Sequence, residues 1–309
     1  MSIARSLLLH ASRSEWLAEE FRRRSFARRA VRRFMPGQDV EAALAASADL
    51  AGSALGTVFT NLGERTETAA AALAVRDHYL RLFDTIHERR LPAHVSVKLT
   101  HLGLSVDRTA CLQSVLELAR RAETTGSLLW IDMEESEYVD ATLGIYRDAK
   151  REISRVGVCL QSYLRRTAAD LEALLPLEPA IRLVKGAYRE PAAIAFEKKK
   201  DTDRAFLQLA ERMLDEAANR RAFPVFGTHD MKLVREIHAA SERRGVARDA
   251  WEVHMLYGIR PGEQRELAAE GTAVRTLISY GENWFPWYMR RLAERPANVW
   301  FVVKNVIIR

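Results

Sequence analysis

Along the chain, short apolar or β-branched runs alternate with longer stretches whose apolar positions recur every three to four residues. The short runs cover Leu55 to Leu62, His94 to Thr100, Leu128 to Glu134, Gly157 to Ser162, Ile181 to Lys185, Pro224 to Thr228, Trp251 to Leu256 and Val274 to Tyr280. Each has strand length and runs into polar or turn residues. Between them lie helical patterns over Thr68 to Arg89, Asp107 to Ala122, Val139 to Ile153, Ala205 to Arg221, Met231 to Arg244 and Glu263 to Glu270. Eight strands alternating with helices, with no long linker and no change of composition, predict an α/β fold, a (β/α)8 TIM-like barrel rather than an open sheet.

Ahead of this rhythm, residues 1–45 read as an N-terminal helical arm and residues 46–309 as the barrel domain. The arm has an amphipathic stretch from Trp16 to Phe34, a stop at Met35-Pro36-Gly37, and a new helix capped by Asp39 and running through Ala48.

A barrel places its chemistry at the C-terminal ends of the strands. Those ends read Asn61 and Glu64, Lys98, Asp132 and Glu134, Gln161, Arg182 and Lys185, Thr228 and His229, His254 and Tyr257, then Tyr280. Side chains two apart in a strand share a face. Ser96, Lys98 and Thr100 therefore oppose Val95, Val97 and Leu99, and Trp130, Asp132 and Glu134 oppose Ile131 and Met133. With the β-branched face on the helices, Lys98 and Asp132 point into the barrel mouth. Arg182, set inside the apolar run Ile181 to Val184, needs a compensating anion or acceptor once its guanidinium leaves water.

The segment after the eighth strand, Trp284-Phe285-Pro286-Trp287-Tyr288-Met289-Arg290-Arg291, sets two adjacent arginines on an aromatic helix. Guanidinium pairs suit a carboxylate or phosphate held bidentately. With Lys98 they suggest an anion site roofed by aromatics.

Composition and charge narrow the classes. Hydrophobic residues at 48% and charged ones at 28% fit a folded globular chain, with no apolar run long enough to span a bilayer. The net charge of +6 is uneven, since Phe21 to Arg33 alone carries seven arginines, so a nucleic-acid role would rest on one arm and is set aside. Glu15, Glu19 and Glu20 argue against a transit peptide. The arm's Arg-rich face reads first as the solvated side of a packed helix and second as a surface for anionic lipid. Cys111 and Cys159 form neither a disulfide framework nor a metal pair, so a reducing compartment is expected. No GxGxxG, Walker or HExxH spacing occurs, and no metal site is expected. His229 and His254 sit where a general base could, but hydrogen bonding is an equal use of such positions.

Ser96-Val97-Lys98-Leu99-Thr100, Asp132-Met133-Glu134-Glu135-Ser136, Leu160-Gln161-Ser162-Tyr163, Arg182-Leu183-Val184-Lys185-Gly186-Ala187-Tyr188, Thr228-His229-Asp230, Met255-Leu256-Tyr257-Gly258 and Arg290-Arg291 occur together in this order. In these motifs, from about residue 15 onward, the chain resembles the proline dehydrogenase family, of the monofunctional bacterial type. The resemblance implies a (β/α)8 barrel with non-covalent FAD that oxidises L-proline to the corresponding imine and passes electrons to a membrane quinone. It gives Lys98, Arg290 and Arg291 the substrate carboxylate, Asp132 the task of holding Lys98, and Tyr188 and Leu256 the substrate ring. Arg182 and Gln161 would meet the flavin ring system, and Thr228 and His229 the phosphate end. Lys185, Gly186, Ala187 and Arg189 would add cofactor contacts, and Glu294 would brace the arginine helix. A cation beside a flavin is an electrostatic catalyst, and no acid or base is assigned. Localisation is expected to be cytoplasmic, with peripheral contact at the inner face of the cell membrane through the arm.

The chain departs from the family pattern in and near the substrate pocket. A substrate-contacting tyrosine of the eighth strand is Leu277, the proline two residues on is Ser279, a tyrosine three residues before the arginine pair is Trp287, and the glutamine of strand seven is His254. A pocket altered in this way suits a proline-like cyclic or modified amino acid. Other uses of the same residues are a buried structural Lys98–Asp132 ion pair, an exposed Arg290-Arg291 patch, a core role for Tyr257, and a solvated loop at Lys198-Lys199-Lys200 that could screen FAD phosphates. Two rival functions are a flavin-free lyase or aldolase with Lys98 as Schiff base, and a non-catalytic barrel that binds lipid or a partner.

Overall fold

A computed structural model describes residues 31–285 and 287–289. In chain order the elements are α1 (Val40–Ala51), β1 (Gly56–Asn61), α2 (Ala69–Glu88), β2 (Ala93–Val97), α3 (Arg108–Thr124), β3 (Leu129–Ile131), α4 (Val139–Glu152) and β4 (Val156–Gln161). There follow α5 (Thr167–Leu174), β5 (Ala180–Val184), α6 (Lys199–Ala217), β6 (Phe223–Gly227), α7 (Met231–Arg243), β7 (Glu252–Leu256), α8 (Pro261–Ala269) and β8 (Ala273–Tyr280). The eight strands are parallel and close into a barrel in sequence order, with β1 paired to β8.

Local chemistry sets the helix starts. Asp39 accepts the Ala42 amide at 2.7 Å, Thr68 the Ala71 amide at 3.2 Å, and Asp107 those of Thr109 and Ala110 at 2.8 and 3.1 Å. Two helical boundaries differ from the sequence reading. α5 has only eight residues, too few for a 3.6-residue period to show, and it was not foreseen. α6 begins six residues before Ala205, so Lys199 and Lys200, solvent-exposed as expected, lie in its first turn rather than in a loop, and Lys199 pairs with Asp203. The residue-45 boundary falls inside α1, which packs on the barrel beside β1 and β8 and bonds Ser47 Oγ to Thr57 Oγ1 at 2.7 Å. Of the helix expected over Trp16 to Phe34, nearly all lies outside the described residues.

Strand alternation divides the core in two. Val95, Val97, Ile131, Val158, Leu183, Phe226, Val253 and Ile278 face the helices and are fully buried or nearly so. The inner set, Val58, Leu128, Trp130, Ala180 and Val225, fills the barrel itself. Trp130 fits there because its neighbour on β4 is glycine, and a Cβ at Gly157 would lie 2.6 Å from the indole ring. Cys111 and Cys159 are buried and unbridged.

Gly157→Ala should therefore push Trp130 out of its position and cost about 1–3 kcal/mol, read as a lower urea midpoint with an unchanged slope.

Candidate active site

The C-terminal ends of the strands surround a cavity of about 720 Å³. Its charged side is built on β2, β3 and β5. Lys98 follows the end of β2 and Asp132 follows β3, both on the inward parity, and the Lys98 ammonium donates to Asp132 Oδ2 at 3.0 Å. Asp132 Oδ1 accepts from Ser96 Oγ at 2.8 Å and from Arg182 Nη2, which also donates to Ser96 Oγ at 2.8 Å. The anion that Arg182 requires is thus Asp132, although the sequence reading assigned that carboxylate to Lys98 alone. Arg182 is 3% exposed, and its guanidinium carbon lies 5.2 Å from the Trp130 ring centre.

The electrostatics follow from this sharing. Burial disfavours the Lys98 ammonium, but Asp132, supported by Tyr188, Glu64 and Glu134, raises its pKa above the ordinary lysine value. Burial likewise opposes the Asp132 carboxylate, and Lys98, Arg182 and the Ser96 hydroxyl hold its pKa below the usual range. Two cations share one anion, so the cluster carries one net positive charge inside the mouth. A Schiff-base lysine must lose its proton, and Lys98 is held protonated.

Other predicted positions converge on the same space. Gln161, Lys185, Gly186, Ala187, Tyr188, Thr228, His229, Leu256, Leu277 and Trp287 all line the cavity. Gln161 donates from Nε2 to the Met133 carbonyl at 3.3 Å. Lys185 sits between Asp203 and Asp230 at 2.6 and 3.1 Å, and Lys199 joins both carboxylates. His229 Nε2 accepts the Leu256 amide at 2.9 Å, so that nitrogen is committed to the end of β7. Arg189 is exposed and is not among the lining residues. Glu134 accepts from the Thr100 amide at 3.0 Å and from the Thr100 hydroxyl, bracing the rim. Arg290, Arg291 and Glu294 lie outside the described residues.

His254 lies deeper than a rim group. It is 3% exposed and donates from Nε2 to Glu252 Oε2 at 3.0 Å, while Arg275 Nε reaches the same oxygen at 2.9 Å. Burial pushes its pKa down to about 4 despite Glu252, so the imidazole is neutral near pH 7.

Sequence reasoning missed Ser96, Arg33, Phe34, Asp203 and Asp230. Ser96 was within reach, because it stands two residues before Lys98 on the same face. Nothing in the pattern placed Arg33 and Phe34 at the cavity.

Several buried atoms of the residues lining this cavity lack a hydrogen-bond partner among the described residues, and two of them are Arg182 Nη1, a donor, and Gln161 Oε1, an acceptor. They stand on neighbouring strands, with Cys159 paired to Arg182 and Gln161 paired to Val184. Beside them Gly186 holds φ +110°, and a Cβ there would come 2.2 Å from the Tyr163 ring. A flat heteroaromatic group with acceptors and an N–H would satisfy both atoms.

A parallel barrel with a cationic, partly apolar cavity at its strand ends defines a small-molecule enzyme of the (β/α)8 class. The profile described as "Proline dehydrogenase" matches residues 43–304, and the chain belongs to that family, whose activity makes it an oxidoreductase, a flavin-dependent amino acid dehydrogenase. Proline dehydrogenase 1 of Bacillus subtilis (strain 168) is 34% identical over 303 residues, covering 98% of this chain and 99% of the relative. Proline dehydrogenase of Deinococcus radiodurans is 34% identical over 280 residues, 89% of each chain. Among solved structures, proline utilization A from Bdellovibrio bacteriovorus, inactivated by N-propargylglycine, superposes with TM-score 0.81 at 20% identity over 92% of this chain, a likeness of fold. This chain spans 34% of that protein's length.

Asp132→Asn would leave Lys98 and Arg182 buried without their anion and should cost about 3–5 kcal/mol in urea unfolding at pH 7. A carboxylate with a depressed folded pKa stabilises above its ordinary pKa and loses that contribution as pH falls through the folded value. The gap between wild type and variant should therefore narrow as the pH falls below the ordinary aspartate range, first as the unfolded chain takes up the proton and then through the depressed folded value.

Proposed function

We propose that this chain oxidises L-proline or a proline-like cyclic amino acid to the corresponding imine, using FAD and passing the electrons to a quinone. The observation that carries the reading is the buried Lys98–Asp132–Arg182 cluster, whose net positive charge lines the cavity of a proline dehydrogenase barrel. When bound, FAD would supply the two-electron acceptor.

The residues present fit both ligands. Lys98 offers its ammonium to the substrate carboxylate, with Arg290 and Arg291 as its partners in that role. Asp132 keeps Lys98 charged and fixes it against Arg182. Arg182 Nη1 and Gln161 Oε1, buried and unpartnered, suit the edge of the flavin ring system. Positive charge at Arg182 favours the electron-rich state that develops there. Gly186 and Ala187 would give the ring close backbone, Lys185, Thr228 and His229 would take the phosphate-bearing end, and Glu294 would brace the arginine helix, while Arg189, exposed and off the lining, is left out of the set. An amine bound unprotonated needs no protein base, consistent with His229 and His254 being tied to other groups.

Four positions support a substrate other than, or in addition to, proline. Leu277 and Trp287 line the cavity with Leu256 and Tyr188, giving a wall with less hydrogen-bonding capacity and a different shape. Ser279 presents a buried hydroxyl with no partner among the described residues, and His254 an Nδ1 in the same condition. Each altered contact is worth about 1–3 kcal/mol of discrimination.

The purified protein should be yellow and reduce a quinone or dye acceptor with cyclic amino acids. The ranking of kcat/KM for L-proline, hydroxyproline and pipecolate decides the substrate. If proline leads by a wide margin, the altered-substrate idea is lost, and a colourless protein that cannot be loaded with flavin ends the whole reading.

Peripheral membrane contact from a cytoplasmic location is the second part of the proposal, motivated by the seven arginines of Phe21 to Arg33. Among the described residues no helix is long and apolar enough to cross a membrane. The full chain should float with anionic vesicles, and sedimenting free of them in low salt would exclude the contact.

A further inference from the structure

Residues 31–38 belong by sequence to the arm, yet they run across the barrel mouth. The Phe34 and Met35 amides both donate to the Val31 carbonyl, at 2.8 and 3.0 Å, which ends the arm's last helical turn at the rim. The chain then passes two glycines of the barrel. Gly258, just after β7, has φ +74°, and a Cβ there would lie 1.6 Å from the Arg33 carbonyl oxygen and 3.4 Å from the Phe34 Cα. Gly281, just after β8, donates its amide to the Gln38 carbonyl at 2.8 Å. Between these anchors Met35 is 2% exposed, so the segment is seated rather than draped.

The seating determines where Phe34 goes. Its ring lies 6.3 Å from that of Tyr288, tilted by 50°, and it lines the same cavity as Leu256, Leu277 and Trp287. These residues form the side of the mouth built on β7, β8 and the segment beyond. Lys98, Asp132 and Arg182 come from β2, β3 and β5. Arg33 and Arg260 also border the cavity on this side, and a cyclic amino acid whose carboxylate lay toward Lys98 would turn its ring toward Phe34, Leu256, Leu277 and Trp287.

We propose that Phe34 is a wall of the substrate subsite, contributed from outside the barrel, and that it limits the ring size the site accepts. This rests on the oxidation of a cyclic amino acid proposed above. Removing the phenyl group opens volume against the substrate ring, and enlarging it closes that volume. Because Gly258 seats the segment, a methyl group at Gly258 acts on Phe34 without touching its side chain.

The test uses the flavin-loaded full chain and two non-oxidisable probes, cyclopentane carboxylate and cyclohexane carboxylate, titrated through the flavin spectrum. The ratio of their Kd values is compared in wild type, Phe34→Ala, Phe34→Trp and Gly258→Ala, alongside kcat/KM for L-proline and L-pipecolate. Phe34→Ala should shift both ratios toward the six-membered ring by about tenfold, the size expected for one methylene in an apolar pocket. Phe34→Trp should shift them the other way, and Gly258→Ala should follow Phe34→Ala. Flavin content and thermal midpoint identify any variant that fails to fold, and the remaining variants then decide. Ratios within twofold of wild type in every folded variant overturn the wall. A wild-type protein that binds neither probe and oxidises neither substrate overturns the proposed function and the wall with it.

Discussion

One carboxylate held between two buried cations is the interaction on which the rest of the site depends. Asp132 serves Lys98 with one oxygen and Arg182 with the other, while Ser96 bridges to the second oxygen and to Arg182. Removing a carboxylate from water is unfavourable by itself, and so is removing a guanidinium. Here each offsets the other, and Asp132 raises the Lys98 pKa above its ordinary value. The remainder is a single uncompensated positive charge fixed on three strands, so the mouth is prepared for an anion before any ligand arrives. The indole of Trp130 beneath Arg182 fixes the guanidinium in place, and Gly157 leaves room for that indole.

The two sides of the mouth divide the work. The Lys98–Asp132–Arg182 cluster comes from β2, β3 and β5, while β7, β8 and the segments packed beyond them give Leu256, Leu277, Trp287 and Phe34, with Arg33 and Arg260 also at that border. Such a division orients a small zwitterion with one charged end and one apolar end, since rotation would leave its carboxylate against Leu256 and Leu277. Leu277, Ser279, Trp287 and His254, where the sequence reading expects departures from the family's pattern, fall on or near β7, β8 and the segment beyond. The Lys98–Asp132–Arg182 cluster contains none of them. A change of substrate can therefore proceed without rebuilding the electrostatics.

The strand rhythm made the barrel legible, and the period of two placed Lys98 and Asp132 on one inward face. What the pattern could not supply was register. That Asp132 meets Arg182, 50 residues away, depends on how β3, β4 and β5 align, and a one-residue slip would turn Arg182 toward the helices. His254 followed the correct parity yet sits a layer lower, tied to Glu252, because parity gives the face and not the depth. Arg189 falls past the end of β5, where alternation no longer constrains direction, and it is exposed. α5 was hidden by its brevity, and the early start of α6 by three lysines that look like solvent-facing loop but lead into pairs with Asp203 and Asp230.

The seated segment at residues 31–38 changes what the arm means. A boundary near residue 45 suits the composition, but Gly258 has no space for a side chain beneath Arg33, and the Gly281 amide is committed to Gln38. Those contacts make the end of the arm part of the cavity wall. A wall assembled from two distant parts of the chain has a consequence for divergence: a bulkier or smaller residue at Leu277 or Trp287 is felt at Phe34, because all three border one space. Substitutions on β8 and on the arm then act on the volume of the same cavity. The cavity is thus bordered jointly by the barrel and by a segment whose sequence, read alone, looks like a stop between two helices.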